Sequence, residues 1–233
     1  MYRSYLLHCC IYALALIRQV ESFSAVSPSS SKTKTFHFGG GCFWAPADNL
    51  RNVPGIVSTS VGYCGDDTPF GKAPTYEKVC NGRTNLVEAV RVEYDPDQLS
   101  YEDLLGQFAK VNTAEWANKR QYRGIIFTAS NEEKQIASTF LDEDVNKSIV
   151  AVIEPMSKTF YTAEKYHQNY WAKWRIRLPT LLGTILLINS YGGDLIGMDY
   201  SQKLYNVVIW GFILFTLFER RFFYDQKTIV VDK

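Results

Sequence analysis

The run Gly39-Gly40-Gly41-Cys42-Phe43-Trp44 constrains this chain more than any other segment. Three glycines precede a thiol, and two adjacent aromatic rings follow it. Thr35-Phe36-His37-Phe38 reads as a short strand, and Phe43 to Asn52 as a helix with Pro46 in its first turn, where a missing N–H costs little. Pro54-Gly55 stops that helix. Cys42 is therefore expected at a strand-to-helix turn, where the helix dipole favours thiolate, the nucleophilic form. The rings of Phe43 and Trp44 are expected to wall a small apolar pocket. The plainer alternative is a buried structural cysteine in a glycine-rich turn.

Downstream, strand and helix patterns alternate as far as Trp174. Ile56 to Gly62 reads as a strand. Glu88 to Tyr94 alternates with period two, the mark of a half-buried strand, and Asp95-Pro96 ends it. Ser100 opens a helix through Leu104, Leu105 and Phe108. Arg123 to Thr128 is a strand. Ser130-Asn131-Glu132-Glu133 is a capping box for a helix to about Asn146. Ser148 to Pro155 is a further strand, and Thr162 is expected to open a helix carrying Tyr166, His167 and Tyr170. This pattern fits one sheet with helices packed on it. The stretch from Tyr63 to Val87 is long for a connection and reads as a functional loop. The formal net charge of +1 gives no basic footprint for nucleic acid. Five cysteines (Cys9, Cys10, Cys42, Cys64 and Cys80) without a Cys-x-x-Cys, and three scattered histidines, argue against a disulfide scaffold or a metal centre.

The two ends differ from this middle. Arg3 followed by the apolar run Tyr5 to Ile17 and small residues near Ser22 resembles a secretory signal; the Ser/Lys stretch from Ser24 to Lys34 resembles a transit peptide. Together, residues 1–34 read as a presequence for a plastid or the secretory pathway, and both destinations stay open. After the expected domain at 35–174, residues 175–233 form a hydrophobic tail. Leu178 to Gly193 and Leu204 to Phe218 carry no charge, with Lys173, Arg175 and Arg177 before them and Arg220 and Arg221 after. Basic outer flanks and a non-basic link fit a membrane hairpin, although each uncharged stretch is short for a full span. An extension packed on the domain is the alternative.

Several groups elsewhere carry chemistry. Pro74-Thr75-Tyr76 and Cys80 sit in the long loop. Glu88 opens a strand whose apolar setting should raise its pKa. Gln121-Tyr122-Arg123 leads another strand, and Glu164 and His167 are spaced to share a helix face. Gly-Cys-Phe-Trp, Gly62-Tyr63, the run Pro74 to Thr84, Glu88, Val92 to Pro96, Gln121-Tyr122-Arg123 and Ala163 to Gln168 occur in an order and with spacings that resemble the peptide methionine sulfoxide reductases of the A type. The resemblance spans roughly Thr35 to Tyr170 and covers neither end.

It implies an α+β fold, a two-layer plait with a ferredoxin-like core and helices on a mixed sheet, to which the chain adds the C-terminal hydrophobic helical extension. It implies thiol-dependent reduction of methionine-S-sulfoxide, free or in oxidised proteins, a protein-repair activity. Cys42 would attack the sulfoxide and become a sulfenic acid, Phe43 and Trp44 would hold the S-methyl group, Glu88 would protonate the oxygen, and Tyr76 and Tyr122 would hydrogen-bond it. No bound cofactor or metal is implied; an external thiol of the thioredoxin or glutathione/glutaredoxin type would supply electrons. Three departures stand out. Ala45 replaces a glycine, Asn85-Leu86-Val87 replaces Gly-His-Ala, and Ala117 stands where an aspartate is common. No cysteine follows Cys80, so Cys64, expected in a flexible glycine-flanked loop, and Cys80 are the internal candidates for resolving the sulfenic acid. Two rivals are a cysteine hydrolase using Cys42 with His167 as base, and a membrane-tethered binding relative without turnover.

Overall fold

The computed structural model describes residues 33–66, 74–114, 119–222 and 231–232. Residues 1–32 of the expected presequence, part of the long loop, Ala117, and the side chains of Arg220 and Arg221 lie outside the described residues, whereas Lys34 already belongs to the first strand.

Strands β1 (Lys34–Gly40), β2 (Ile56–Cys64), β3 (Val87–Tyr94), β4 (Gly124–Thr128), β5 (Val152–Pro155), β6 (Phe160–Thr162) and β7 (Val231–Asp232) form one sheet in the order β5-β4-β1-β3-β2-β6-β7. Its middle, β4-β1-β3-β2, is antiparallel throughout, and β5 adds in parallel to β4. Helices α1 (Trp44–Leu50) and α3 (Tyr101–Val111) make the two crossovers, so the first four strands and these helices form the expected α+β plait. Helix α2 (Tyr76–Cys80) lies between β2 and β3, and α4 (Asn131–Asp142) between β4 and β5.

Strand alternation divides the core in two. Phe36, Phe38, Val61, Tyr63, Val90, Val92 and Ile126 face α1, α3 and α4, meeting Leu50, Leu104, Phe108 and Ala137. Cys64, Val87, Ala89, Ile125, Phe127 and Phe160 pack together on the other face. Ser100 caps α3 with a full reciprocal box to Asp103. The box expected at Ser130 is displaced. Ser130 accepts from the Glu133 N–H at 3.1 Å, but the Glu133 carboxylate takes the N–H of Ala129, at 2.7 Å, rather than that of Ser130.

Two expectations are corrected here. Thr162 does not open a helix. Phe160–Thr162 is strand β6, paired between β2 and β7, residues 163–169 turn, and the helix starts at Tyr170. Cys64 is not in a flexible loop. It is the last residue of β2, paired with Val87 and fully buried.

Helix α5 runs unbroken from Tyr170 to Ile196 and α6 from Met198 to Phe222, so the expected boundary after Trp174 falls inside a continuous helix. The two helices pair antiparallel. Arg177 grips Glu219 through two hydrogen bonds of 2.6 and 2.7 Å. At the far end Gly192 leaves no room for a side chain, because a Cβ there would meet Ser201 Oγ at 2.4 Å.

Candidate active site

The site begins with a backbone requirement. Gly41 adopts φ +84°, and a Cβ on it would meet Thr113 Oγ1 at 2.5 Å, so no other residue fits. That turn lifts Cys42 out of the sheet, and its side chain is exposed. The dipole expectation for the thiol is corrected. Enough protein surrounds the sulfur that burial pushes the thiol up, the N–H of Trp44 pulls it down, and the Glu88 charge adds to the rise. The helix that follows is only seven residues long, and its pull does not outweigh burial. The resting sulfur is therefore mainly thiol at neutral pH.

Glu88 is the second residue of β3 and is buried. Its carboxylate accepts the backbone N–H of Phe43 at 3.2 Å and the Gln121 side-chain amide at 2.5 Å. Burial pushes this carboxyl up to about 7 against those two opposing hydrogen bonds. The rise expected from sequence is present, and the acid can hold or release a proton near neutrality. The same Gln121 nitrogen lies 3.1 Å from Cys80 Sγ.

Tyr76 starts α2, and Tyr122 ends a short 3-10 turn, Arg120–Tyr122. Their hydroxyls hydrogen-bond each other and Tyr76 also bonds Cys80; burial pushes both phenols up first, followed by the Cys80 hydrogen bond and then the Glu88 charge for Tyr76, and by the Glu88 charge for Tyr122. They stay protonated and can donate. Cys42, Glu88, Tyr76, Tyr122 and Cys80 thus feel one another across a single cluster.

The two rings differ in access. Phe43 is buried, packed against Tyr63 and His167. Trp44 is half-exposed, so it is the ring that a ligand can touch directly. Trp44 is locked in place. Its indole N–H donates to His167 Nδ1 at 3.1 Å, and its ring lies on Tyr170 at 3.9 Å and 5°. His167 Nε2 lies 3.9 Å from Glu164. Both imidazole nitrogens are therefore directed at groups other than Cys42, which leaves the hydrolase pairing without geometric support.

Sequence reasoning assigned no individual role to Gln121, Glu164 or Gln168. Buried Glu164 accepts the Tyr63 hydroxyl at 2.8 Å and the Tyr76 N–H at 3.0 Å, so it anchors α2 to the sheet. The Gln168 side chain pairs with Val61 N and O at 3.1 and 2.8 Å, in place of a neighbouring strand. All three residues stand within the motif runs that carry the family resemblance, which is the signal available in the sequence.

The family model for peptide methionine sulfoxide reductase matches residues 34–179. The chain belongs to the peptide methionine sulfoxide reductase family. A peptide methionine sulfoxide reductase MsrA of Deinococcus radiodurans is 41% identical over 145 residues, 58% of this chain and 68% of that protein. One from Methanothermobacter thermautotrophicus is 42% identical over 147 residues, 58% of this chain and 85% of its own length. Among solved structures, methionine sulfoxide reductase A of Corynebacterium diphtheriae is similar with a TM-score of 0.52 at 30% identity, covering 63% of this chain and 76% of that one. Mxr1 of Saccharomyces cerevisiae in reduced form gives 0.54 at 28% identity, covering 64% and 90%. The family region ends at Pro179, within α5, so most of the hairpin lies beyond it.

Proposed function

We propose that this reductase converts methionine-S-sulfoxide, free or in oxidised proteins, to methionine with Cys42 as the attacking sulfur. The observation that carries the roles is the placement of Glu88, a buried carboxyl with its pKa near 7, against the N–H of the residue after Cys42. The S-methyl group rests on Trp44, with Phe43 beneath. The sulfoxide oxygen meets Tyr76, Tyr122 and protonated Glu88, whose donation turns a poor leaving oxygen into a good one. Cys42 gives up its thiol proton, which restores the one Glu88 donated, and ends as sulfenic acid while the substrate leaves as thioether, so one oxygen moves and the substrate sulfur is reduced by two electrons.

A second thiol then regenerates the enzyme. Cys80 is better placed than Cys64. It touches Gln121 and Tyr76 at the cluster, whereas Cys64 is buried on the opposite face of the sheet. Cys80 attacks the sulfenic sulfur, the disulfide forms, and water leaves. A thioredoxin-like or glutathione-type thiol then reduces that disulfide.

The hairpin attaches the reductase to a membrane. Leu182, Leu186, Leu187, Leu195, Val207, Trp210 and Leu217 all point outward. Helix α6 is long and apolar enough over Met198–Glu219 to cross a membrane, and its most apolar window holds no buried residue. Its 22 residues reach ~33 Å, longer than the uncharged stretch alone would give. Residues 1–34 support a plastid or secretory route. The direct test is assay of the full chain in detergent on the two sulfoxide epimers with dithiothreitol; reduction of the S form alone is expected, and inactivity on both overturns the reading.

A further inference from the structure

We propose that the preferred substrates are methionine sulfoxides in protein segments lying at a membrane surface, because the catalytic pocket is fixed at the root of the hairpin. This rests on the catalytic and membrane readings above. The link between pocket and hairpin is helical throughout, with Pro179 inside α5 just beyond the turns tied to α1. Trp44, which faces the substrate, stacks on Tyr170, the first residue of α5. Asp48, on the helix that follows Cys42, holds Arg175 through two hydrogen bonds of 2.6 and 2.8 Å. Arg51, just after that helix, holds Asn169 at 2.5 Å. The first two turns of α5 are thereby tied to α1, and one continuous helix carries that orientation onward to Ile196.

The distance is short. Leu178 begins the uncharged stretch eight residues after Tyr170, an axial rise of only ~12 Å. Between them stand Trp171, Trp174, Lys173, Arg175 and Arg177, the aromatic and basic residues that settle at headgroup level. A groove of about 540 Å³ opens between α1 and α5 at this level, lined by Ala45, Asp48, Trp171, Trp174, Arg175 and Leu178 among others. It begins at Ala45, the residue after Trp44, and reaches Leu178 and Pro179 on α5. A membrane-bound chain would hold its pocket within one to three helical turns of the headgroups, and it could not swing outward to meet distant soluble domains.

The experiment uses the full chain reconstituted in vesicles of phosphatidylcholine and phosphatidylglycerol. These also hold a single-span peptide with one methionine-S-sulfoxide. In one peptide the sulfoxide directly follows the last apolar residue; in the other it sits ~40 Å further out, beyond a proline-rich spacer that stays extended. The surface-proximal sulfoxide should be reduced about tenfold faster, because tethering raises its effective concentration only where geometry allows engagement. Equal rates, or faster reduction of the distal sulfoxide, overturn the proposal. Failure of either foundation also overturns it and is recognised separately. An inactive catalytic site shows as no reduction of soluble S-sulfoxide peptide in detergent; a wrong membrane reading shows as reductase that does not float with the vesicles.

Discussion

The backbone N–H of Phe43 donates to the buried Glu88 carboxylate at 3.2 Å, so the acid is fixed against the residue that follows Cys42. Strand β3 supplies the carboxyl and the β1–α1 turn supplies the donor. Neither can shift without disturbing the sheet register between β1 and β3.

The pH dependence of the chemical step follows from that carboxyl. Its pKa is about 7, and in the proposed mechanism the protonated form is the proton donor. Methionine formation in a single turnover should fall as pH rises through about 7. Glu88→Gln should lower the rate by about 10²–10⁴ and remove this limb. Stopped-flow or quenched-flow methionine release over pH 5–9, roughly the range that brackets the group, measures both.

The same group makes a stability prediction with a defined sign. The folded pKa lies above the ordinary carboxylate value of 4.5, so the folded state holds this proton more tightly. Its contribution is fully present below 4.5 and is lost as pH rises towards about 7. Glu88→Gln should therefore gain on the parent protein across that window and hold its advantage above it. Urea midpoints of the two proteins at pH 4.5 and 8 should diverge; parallel curves would remove the buried-acid account.

Gln121 donates to Glu88 and opposes the rise caused by burial. Gln121→Leu keeps volume and removes the donor, so the alkaline limb should move to higher pH. An unshifted limb would show that the hydrogen bond does not stabilise the carboxylate.

Gly41→Ala should cost several kcal/mol. It combines a strained positive φ of +84° with a contact of 2.5 Å to Thr113. Thermal melts would register it, together with lost activity through a misplaced Cys42.

Regeneration distinguishes two thiols. After one equivalent of sulfoxide, peptide mapping should find a Cys42–Cys80 disulfide. Cys80→Ser should leave the first methionine burst intact and slow turnover with thioredoxin. A Cys42–Cys64 bridge would mean that the end of β2 opens during the cycle.

The plait was legible because β3 alternates apolar and polar residues, turn residues bound the other strands, and its helices carry Ser100 and Ser130 caps, signals that act within a few residues. The segment from Phe160 to Asn169 was not. Its three-residue strand is too short to show a period, and Glu164 to Gln168 has ordinary helix formers. What keeps it from being a helix is tertiary, namely Gln168 pairing with Val61 and the left-handed Asn169 at φ 55°. Cys64 misled for a related reason. Glycines flank the dipeptide Tyr63-Cys64 on both sides and suggest a loop, yet Gly62 is there because a Cβ would meet the Phe160 ring at 2.4 Å. The catalytic groups themselves were readable as motifs. The bridge through Gln121 to Cys80 and the clamp of Asp48 on Arg175 depend on residues brought together only by folding.

The central claim is that Cys42 itself takes the sulfoxide oxygen. Mixing the full chain with one equivalent of methionine-S-sulfoxide, without reductant, and quenching at once tests it. The account predicts stoichiometric methionine, with Cys42 recovered either as a dimedone-trapped sulfenic acid or in a disulfide, and no methionine from folded Cys42→Ser. Methionine formed by folded Cys42→Ser, or a Cys42 thiol left unmodified after the burst, would contradict it.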